Sequence, residues 1–332
     1  MVKPPGPSGL DIFRQIRPIV ENYPAAYLNF HKQYGDIFRV RLPIRAYFFM
    51  HPRDVKHILK DNAQNYKKGD IYRQLKPILG QGLVTSEGEL WKKQRRLVAP
   101  EFHTKAIESF VPTMIKHTIA HSEIWRQEGV RDVADDMMAL TLAVVGEVFF
   151  GSELQNDSKV IAENLYTLLH ESLDRMTSLI KWPQLRQSRA EKNLNAGVLK
   201  LIRSKQLLPD QPVSKCPRNV LSRLIGQMPE KQLLDEVKTL MLAGHETTSL
   251  VLSWTWYLLS QNPEAEAKLH DELHRVLGGR TPDFSDISRL PYTEMVLKES
   301  MRLYPPIPVV TREALDWDEI GGYEIPPGTQ VE

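Results

Sequence analysis

The chain has 332 residues, a formal net charge of +2 and ordinary apolar and charged fractions; it is long enough to bury a sizeable core, and its bulk charge singles out no polyanionic partner. A single cysteine, Cys216, excludes an internal disulfide and fits a reducing compartment. No signal-like stretch opens the chain, and no run approaches the ~20 apolar residues that span a bilayer, the segment from Leu240 to Leu259 being interrupted by His245, Glu246 and hydroxyls, so a soluble, cytoplasmic protein without a transmembrane anchor is expected.

The Pro-rich start reads as an extended lead-in. A short helix is predicted from Pro24 to Tyr34, ended by Gly35. Two β-branched or aromatic runs, Ile37 to Leu42 and Ala46 to Met50, read as strands parted by Pro43, and Arg53 to Lys60 as a helix after the His51-Pro52 turn. Helical patterning then dominates: Leu90 to Val98, Thr104 to Gln127, Asp132 to Phe150, Ser158 to Leu179 and Ser188 to Ile202. Leu208 to Arg218, polar and Pro-bearing, reads as a loop or hinge. The longest helical candidate, Pro229 to Ser260, ends at Asn262-Pro263. Helices Pro263 to Leu277 and Tyr292 to Tyr304 follow, stopped by Gly278-Gly279 and Pro305-Pro306. The tail reads as short strands, Val309 to Glu313, Asp318 to Ile320 and Tyr323 to Ile325, with glycines and prolines between. No internal repeat is present. The expected class is mainly α with small β-sheets, one mixed α+β domain over 1–332.

Three constellations stand out. In the middle of the long helix, Ala243, Gly244, His245, Glu246, Thr247, Thr248 and Ser249 set poor helix formers together, and hydroxyls there can bond back to the preceding turn and bend the helix. Local sequence that opposes its own element often marks a functional site; a polar kink in a surface helix is the alternative. A zinc-protease reading of His245-Glu246 needs a second His four residues on, and Ser249 stands there. Glu299 and Arg302, three apart, share a helix face and can pair, although such pairs are common and mostly solvated. Trp91 and Arg95 are i, i+4 neighbours whose indole N–H and guanidinium can meet one anion; an exposed basic face is the commoner meaning of such a stretch, and no wider basic stripe supports a nucleic-acid partner.

Taken in order and at these separations, the three resemble one family, the cytochromes P-450. Ala243 to Thr248 resembles its oxygen-activation helix, Glu299 to Arg302 its Glu-x-x-Arg helix, and Trp91 to Arg95 its Trp-x-x-x-Arg helix. Thr311 to Ala314 and Gly322 to Thr329 resemble the strands that follow. The resemblance implies a P-450 fold and a haem-dependent monooxygenase that inserts one oxygen atom from O2 into a small apolar organic substrate. It implies haem b as cofactor, with electrons from NAD(P)H through a ferredoxin, flavodoxin or reductase-type partner, which the basic face at Lys92, Lys93 and Arg96 would meet. By the same resemblance, Thr247 hydrogen-bonds the oxygen or a water, and Glu246 helps deliver protons. Ala243 and Gly244 leave room at the haem face, and Thr248 supports the kink. Trp91, Arg95 and Arg312 bind the propionates, and Glu299 and Arg302 are structural. Tyr66 to Leu83, Leu165 to Trp182 and Ile307 to Val310 line the substrate pocket.

The family's axial cysteine lies in a loop after the Glu-x-x-Arg helix, and no cysteine follows Glu299. Cys216 precedes the oxygen helix in a Lys-Cys-Pro-Arg context and reads as an ordinary loop thiol, so no metal ligand is assigned. The chain is therefore expected to be a partial P-450, inactive by itself; a short non-catalytic binding or decoy module is the alternative. Peroxide-using or isomerising chemistry on the same fold is a third reading, disfavoured by the intact Glu246-Thr247 pair.

Overall fold

The computed structural model describes residues 2–7, 11–41, 46–127, 129–151, 161, 163–168, 189–206 and 220–332. They fall into two compact units, one from Met1–Gly80 and Pro308–Glu332, the other from Gln81–Leu168 and Gln187–Ile307. The expected hinge from Leu208 to Arg218 lies outside the described residues, as do Cys216 and most of Ser158 to Leu179.

The first unit is a small sheet with helices on it. It holds α1 (Asp11–Glu21), α2 (Tyr23–Tyr34), β1 (Ile37–Val40), β2 (Ala46–Phe49), α3 (Pro52–Lys56), β3 (Tyr66–Lys68), α4 (Asp70–Leu79), β4 (Arg312–Ala314), β5 (Asp318–Ile320), β6 (Tyr323–Ile325) and β7 (Gln330–Val331). Helix α2 starts where Asn22 Oδ1 accepts the Ala25 N–H at 3.2 Å, and ends at Gly35. Helix α3 starts on Pro52, capped by His51 Nδ1 accepting from the Arg53 N–H at 3.1 Å. It passes into a π-helical turn, His57–Asp61, where a continuous α-helix to Lys60 was expected.

The strands at the two ends of the chain join one sheet, ordered β1-β2-β7-β4-β3. Strand β7 lies parallel to β2, Ala46 opposite Gln330, and antiparallel to β4. Period-2 alternation gives this sheet two apolar faces. Phe38, Val40, Ala46 and Phe48 pack under Tyr27 and Phe30 of α2, with Phe38 and Phe48 stacked at 5.0 Å. On the other face Ile37, Phe49, Tyr66, Ala314 and Val331 meet Ile320 and Ile325 of the β5–β6 hairpin. The lead-in runs along β1, Arg39 donating its N–H to the Pro5 carbonyl at 2.8 Å. Helix α1 forms where only extended chain was expected, and β3 and α4 form inside the unassigned stretch Tyr66 to Leu83.

The second unit is helical: α5 (Gly88–Val98), α6 (Thr104–Trp125), α7 (Val133–Val145, then a π turn to Phe150), α8 (Arg189–Gln206), α9 (Val220–Leu224), α10 (Glu230–Gln261), α11 (Pro263–Leu277) and α12 (Pro291–Leu303). At 32 residues α10 runs about 48 Å. Residues 235–241 are buried all round it, including Asp235, Glu236, Lys238 and Thr239. Helix α7 lies against it, held in part by Thr141 Oγ1 donating to the His245 carbonyl at 3.0 Å. Glu272 of α11 caps α12, accepting the N–H groups of Tyr292 and Thr293, each at 2.8 Å. Apart from Ser158 to Leu179, most of which lies outside the described residues, the expected helices form here, and α9 is an addition.

Candidate active site

The centre of α10 remains α-helical despite its unfavourable sequence. Its hydroxyls are turned onto the helix itself: Thr247 Oγ1 donates to the Ala243 carbonyl at 2.7 Å, Thr248 Oγ1 to that of Gly244 at 3.0 Å, and Ser249 Oγ to that of Glu246 at 2.8 Å. Ala243 and Thr247, one turn apart, fall on one side of the helix; Ala243 is exposed and Thr247 half-buried. The helix thus presents a small side chain beside a hydroxyl whose proton is already given away, leaving its lone pairs to accept. Glu246, half-buried, lies next to it in sequence.

Gly244 faces the opposite neighbour. A Cβ there would stand 3.0 Å from Val145 Cγ2 and 3.3 Å from Phe149 Cε2, so this glycine lets α7 and α10 approach. His245 is buried, its Nδ1 without a hydrogen-bond partner among the described residues, and burial holds its pKa below the usual histidine value.

Helix α5 carries Trp91 and Arg95, the indole N–H and guanidinium singled out in the sequence. Trp91 is 38% exposed and Arg95 is exposed, one turn apart. Neither side chain has a hydrogen-bond or ion-pair partner among the described residues. Lys92 pairs with Glu89 at 2.7 Å, and Lys93 and Arg96 are exposed. Arg312, in the other unit on β4, lies over the Tyr72 ring at 5.7 Å and donates to the Thr311 carbonyl at 2.9 Å. It has no carboxylate partner among the described residues.

Glu299 and Arg302 do pair, in a two-pronged contact of 2.7 and 2.6 Å. The Arg302 guanidinium holds the Glu299 carboxyl below its ordinary pKa. Both side chains are more than half exposed, at 55% and 66%, a setting in which an ion pair adds little stability. Beside them Tyr304 stacks on Trp254 of α10 at 4.2 Å. Of the expected pocket-lining stretches, Tyr66 to Leu83 forms β3, α4 and the turn after it, and Val309 packs on the aromatic core of the first unit. Ile307 is exposed, and residues 169–182 lie outside those described.

Asp235, Glu236 and Gln94 belong to none of the three constellations, yet they are buried polar groups that organise the loop before α5. Buried acids inside a helix were the available signal, since such groups stay charged only when partnered.

The family model for cytochrome P-450 matches residues 4–332, through both units. The chain belongs to the cytochrome P-450 family. It is 35% identical over 93% of its length to cyclooctatin synthase of Streptomyces melanosporofaciens, covering 70% of that protein. It is 31% identical to cyclooctat-9-en-7-ol 5-monooxygenase of the same organism, over 93% of the chain and 70% of the relative. Carotene epsilon-monooxygenase, chloroplastic, of Arabidopsis thaliana is 31% identical over 90% of the chain, with 61% of that protein covered. P-450 proteins are haem-dependent oxidoreductases that draw electrons from a redox partner, and the mainly α architecture with small sheets is theirs.

Taken unit by unit, the residues present suit a haem. In the helical unit Trp91 and Arg95 offer N–H donors without a partner among the described residues, and Ala243 a small apolar surface beside Thr247; in the other unit Arg312 is a cation without a carboxylate partner among the described residues. The one cysteine, Cys216, lies outside the described residues. Among the described residues no helix is long and apolar enough to cross a membrane.

Proposed function

We propose that the protein is a monooxygenase placing one oxygen atom from O2 into an apolar organic substrate, with Thr247 and Glu246 as its oxygen-side groups. The observation that carries this reading is Thr247 Oγ1, fixed on the Ala243 carbonyl at 2.7 Å. Because its proton is committed there, the hydroxyl acts as an acceptor and holds the O–H of a water or of the reacting oxygen. Glu246, the adjacent carboxyl, is the proton source for that water, the arrangement general acid catalysis requires. Ala243 leaves room beside the hydroxyl, Gly244 brings α7 up behind it, and Thr248 fixes the local helix through the Gly244 carbonyl.

Haem b, when bound, supplies the oxygen activation. Trp91, Arg95 and Arg312 would hold its propionates through charge-assisted hydrogen bonds. Glu299 and Arg302 are assigned a structural part, as a braced pair on α12. Electrons come from NAD(P)H through a partner of the ferredoxin, flavodoxin or reductase kind, for which Lys92, Lys93 and Arg96 offer a basic face. The substrate is proposed to be hydrocarbon-rich, in line with relatives named for cyclooctat-9-en-7-ol and carotene. Incubating the intact natural protein with such compounds, a reductant system and isotopically labelled dioxygen tests this. One labelled oxygen in the product is expected; a product whose new oxygen is unlabelled, and so comes from water, would overturn it.

A further inference from the structure

Two turns before Ala243, α10 buries three charged side chains, Asp235, Glu236 and Lys238. Lys238 Nζ lies 3.1 Å from Asp235 Oδ1 and donates to Asn195 Oδ1 of α8 at 3.3 Å. Buried ions are costly to desolvate and persist where each finds partners. Glu236 Oε1 accepts from Gln232 Nε2 at 3.4 Å, and both acids also accept from backbone amides of the segment before α5. Asp235 Oδ2 accepts the Gln81 N–H at 2.8 Å, and Glu236 Oε2 accepts the Leu83 N–H at 3.0 Å. Between those amides Gly82 lies directly on α10: a Cβ there would stand 2.0 Å from Thr239 Oγ1 and 2.6 Å from the Asp235 carbonyl oxygen.

The same segment is tied to α5. The Gln81 carbonyl accepts from Gln232 Nε2 of α10 at 2.9 Å and from Gln94 Nε2 of α5 at 2.6 Å. Gln94 also accepts the Ser86 hydroxyl. Gln94 immediately precedes Arg95. One short loop is thus gripped by carboxylates of α10 on one side and by a side chain of α5 on the other.

We propose that Asp235 and Glu236 are positioning residues of the P-450 site, clamping the Gln81 and Leu83 amides and, through Gln94, setting where α5 presents Trp91 and Arg95. The consequence for haem rests on the propionate reading of α5, while the clamp itself does not.

Hydrogen exchange on the haem-loaded natural protein tests it, read over residues 80–87, with α7 as control and haem transfer to a scavenging apo-globin measured on the same samples. In Glu236→Ala, exchange over 80–87 is expected to rise about tenfold, the scale of one lost hydrogen bond to a charged group, with α7 unchanged and haem leaving severalfold faster. Glu236→Gln, whose amide oxygen still accepts from Leu83, should restore both. Where Glu236→Ala does not fold, Gln94→Leu breaks the α5 end without removing a buried charge, and faster haem loss is expected from it too. Unchanged exchange over 80–87, or an equal rise in α7, overturns the clamp. If exchange rises but haem loss does not, while Arg95→Ala speeds haem loss, the link to α5 is overturned and the propionate reading stands. If Arg95→Ala itself leaves haem loss unchanged, the propionate reading falls, and the exchange result still decides the clamp.

Discussion

Arg95 has no carboxylate partner among the described residues. A guanidinium one turn from an indole N–H can share a single carboxylate with it. In the haem-loaded protein, Arg95→Ala is expected to speed haem loss roughly tenfold or more, since a hydrogen bond to a charged group is worth about 1.5–3 kcal/mol. Haem transfer to an apo-globin measures this, and loss at the parent rate would make Arg95 a surface charge only. Among single residues, Thr247 and Arg95 were picked out in the sequence by the short local patterns they belong to. Asp235 and Glu236 were not, because the groups that justify their burial lie 154 and 153 residues away, on Gln81 and Leu83.

Helix α10 shows how an element absorbs residues that oppose it. Threonine and serine disfavour a helix interior when their hydroxyls compete for backbone; here those hydroxyls bond to carbonyls three or four residues back and the helix continues. Gly244 weakens the helix but admits α7, whose Val145 and Phe149 occupy the space of a Cβ. Gly244→Ala therefore sets a helix-propensity gain of up to about 1 kcal/mol against overpacking of ~1–3 kcal/mol. Because Val145 is β-branched and stiff, a net loss of about 1 kcal/mol is expected in denaturant unfolding; a stabilised variant would show that α7 yields. Long, periodic helices such as α6, α10 and α11 were legible at this scale. Helix α1 was masked by the prolines before it and by Pro18 within it, and α4 by Pro77. Strand β7 shows itself only by pairing with β2, which local sequence cannot display.

At the scale of the molecule, each unit holds a buried or half-buried carboxylate ionised by several donors. Asp286 accepts from Arg280 and Arg289, and the Arg280 guanidinium above all pulls its pKa down to about 2 from 3.8. Burial works to raise Asp318, yet Tyr66, His57 and Asn62, all donating to one oxygen at 2.6–3.0 Å, hold it below the usual value. A carboxyl whose pKa is lower folded than unfolded adds stability that is fully present above the unfolded value and is lost as pH falls through the folded one. Stability is thus expected to fall from roughly pH 4 downward, with the Asp286 share lost by about pH 2. Asp286→Asn should flatten that part of the acid limb, and an unchanged limb in acid titration would contradict the assignment. The mainly α plan with a sheet at the chain ends was legible from patterning, whereas the union of those end strands in one sheet was not, since pairing partners lie some 280 residues apart, as Ala46 and Gln330 do. Whether α10 handles oxygen through Thr247 is decided by the coupling ratio, product formed per electron pair consumed, in the haem-loaded natural protein and its Thr247→Ala variant. A severalfold lower ratio with matching release of hydrogen peroxide is expected at unchanged haem content; an unchanged ratio would rule out that role for Thr247.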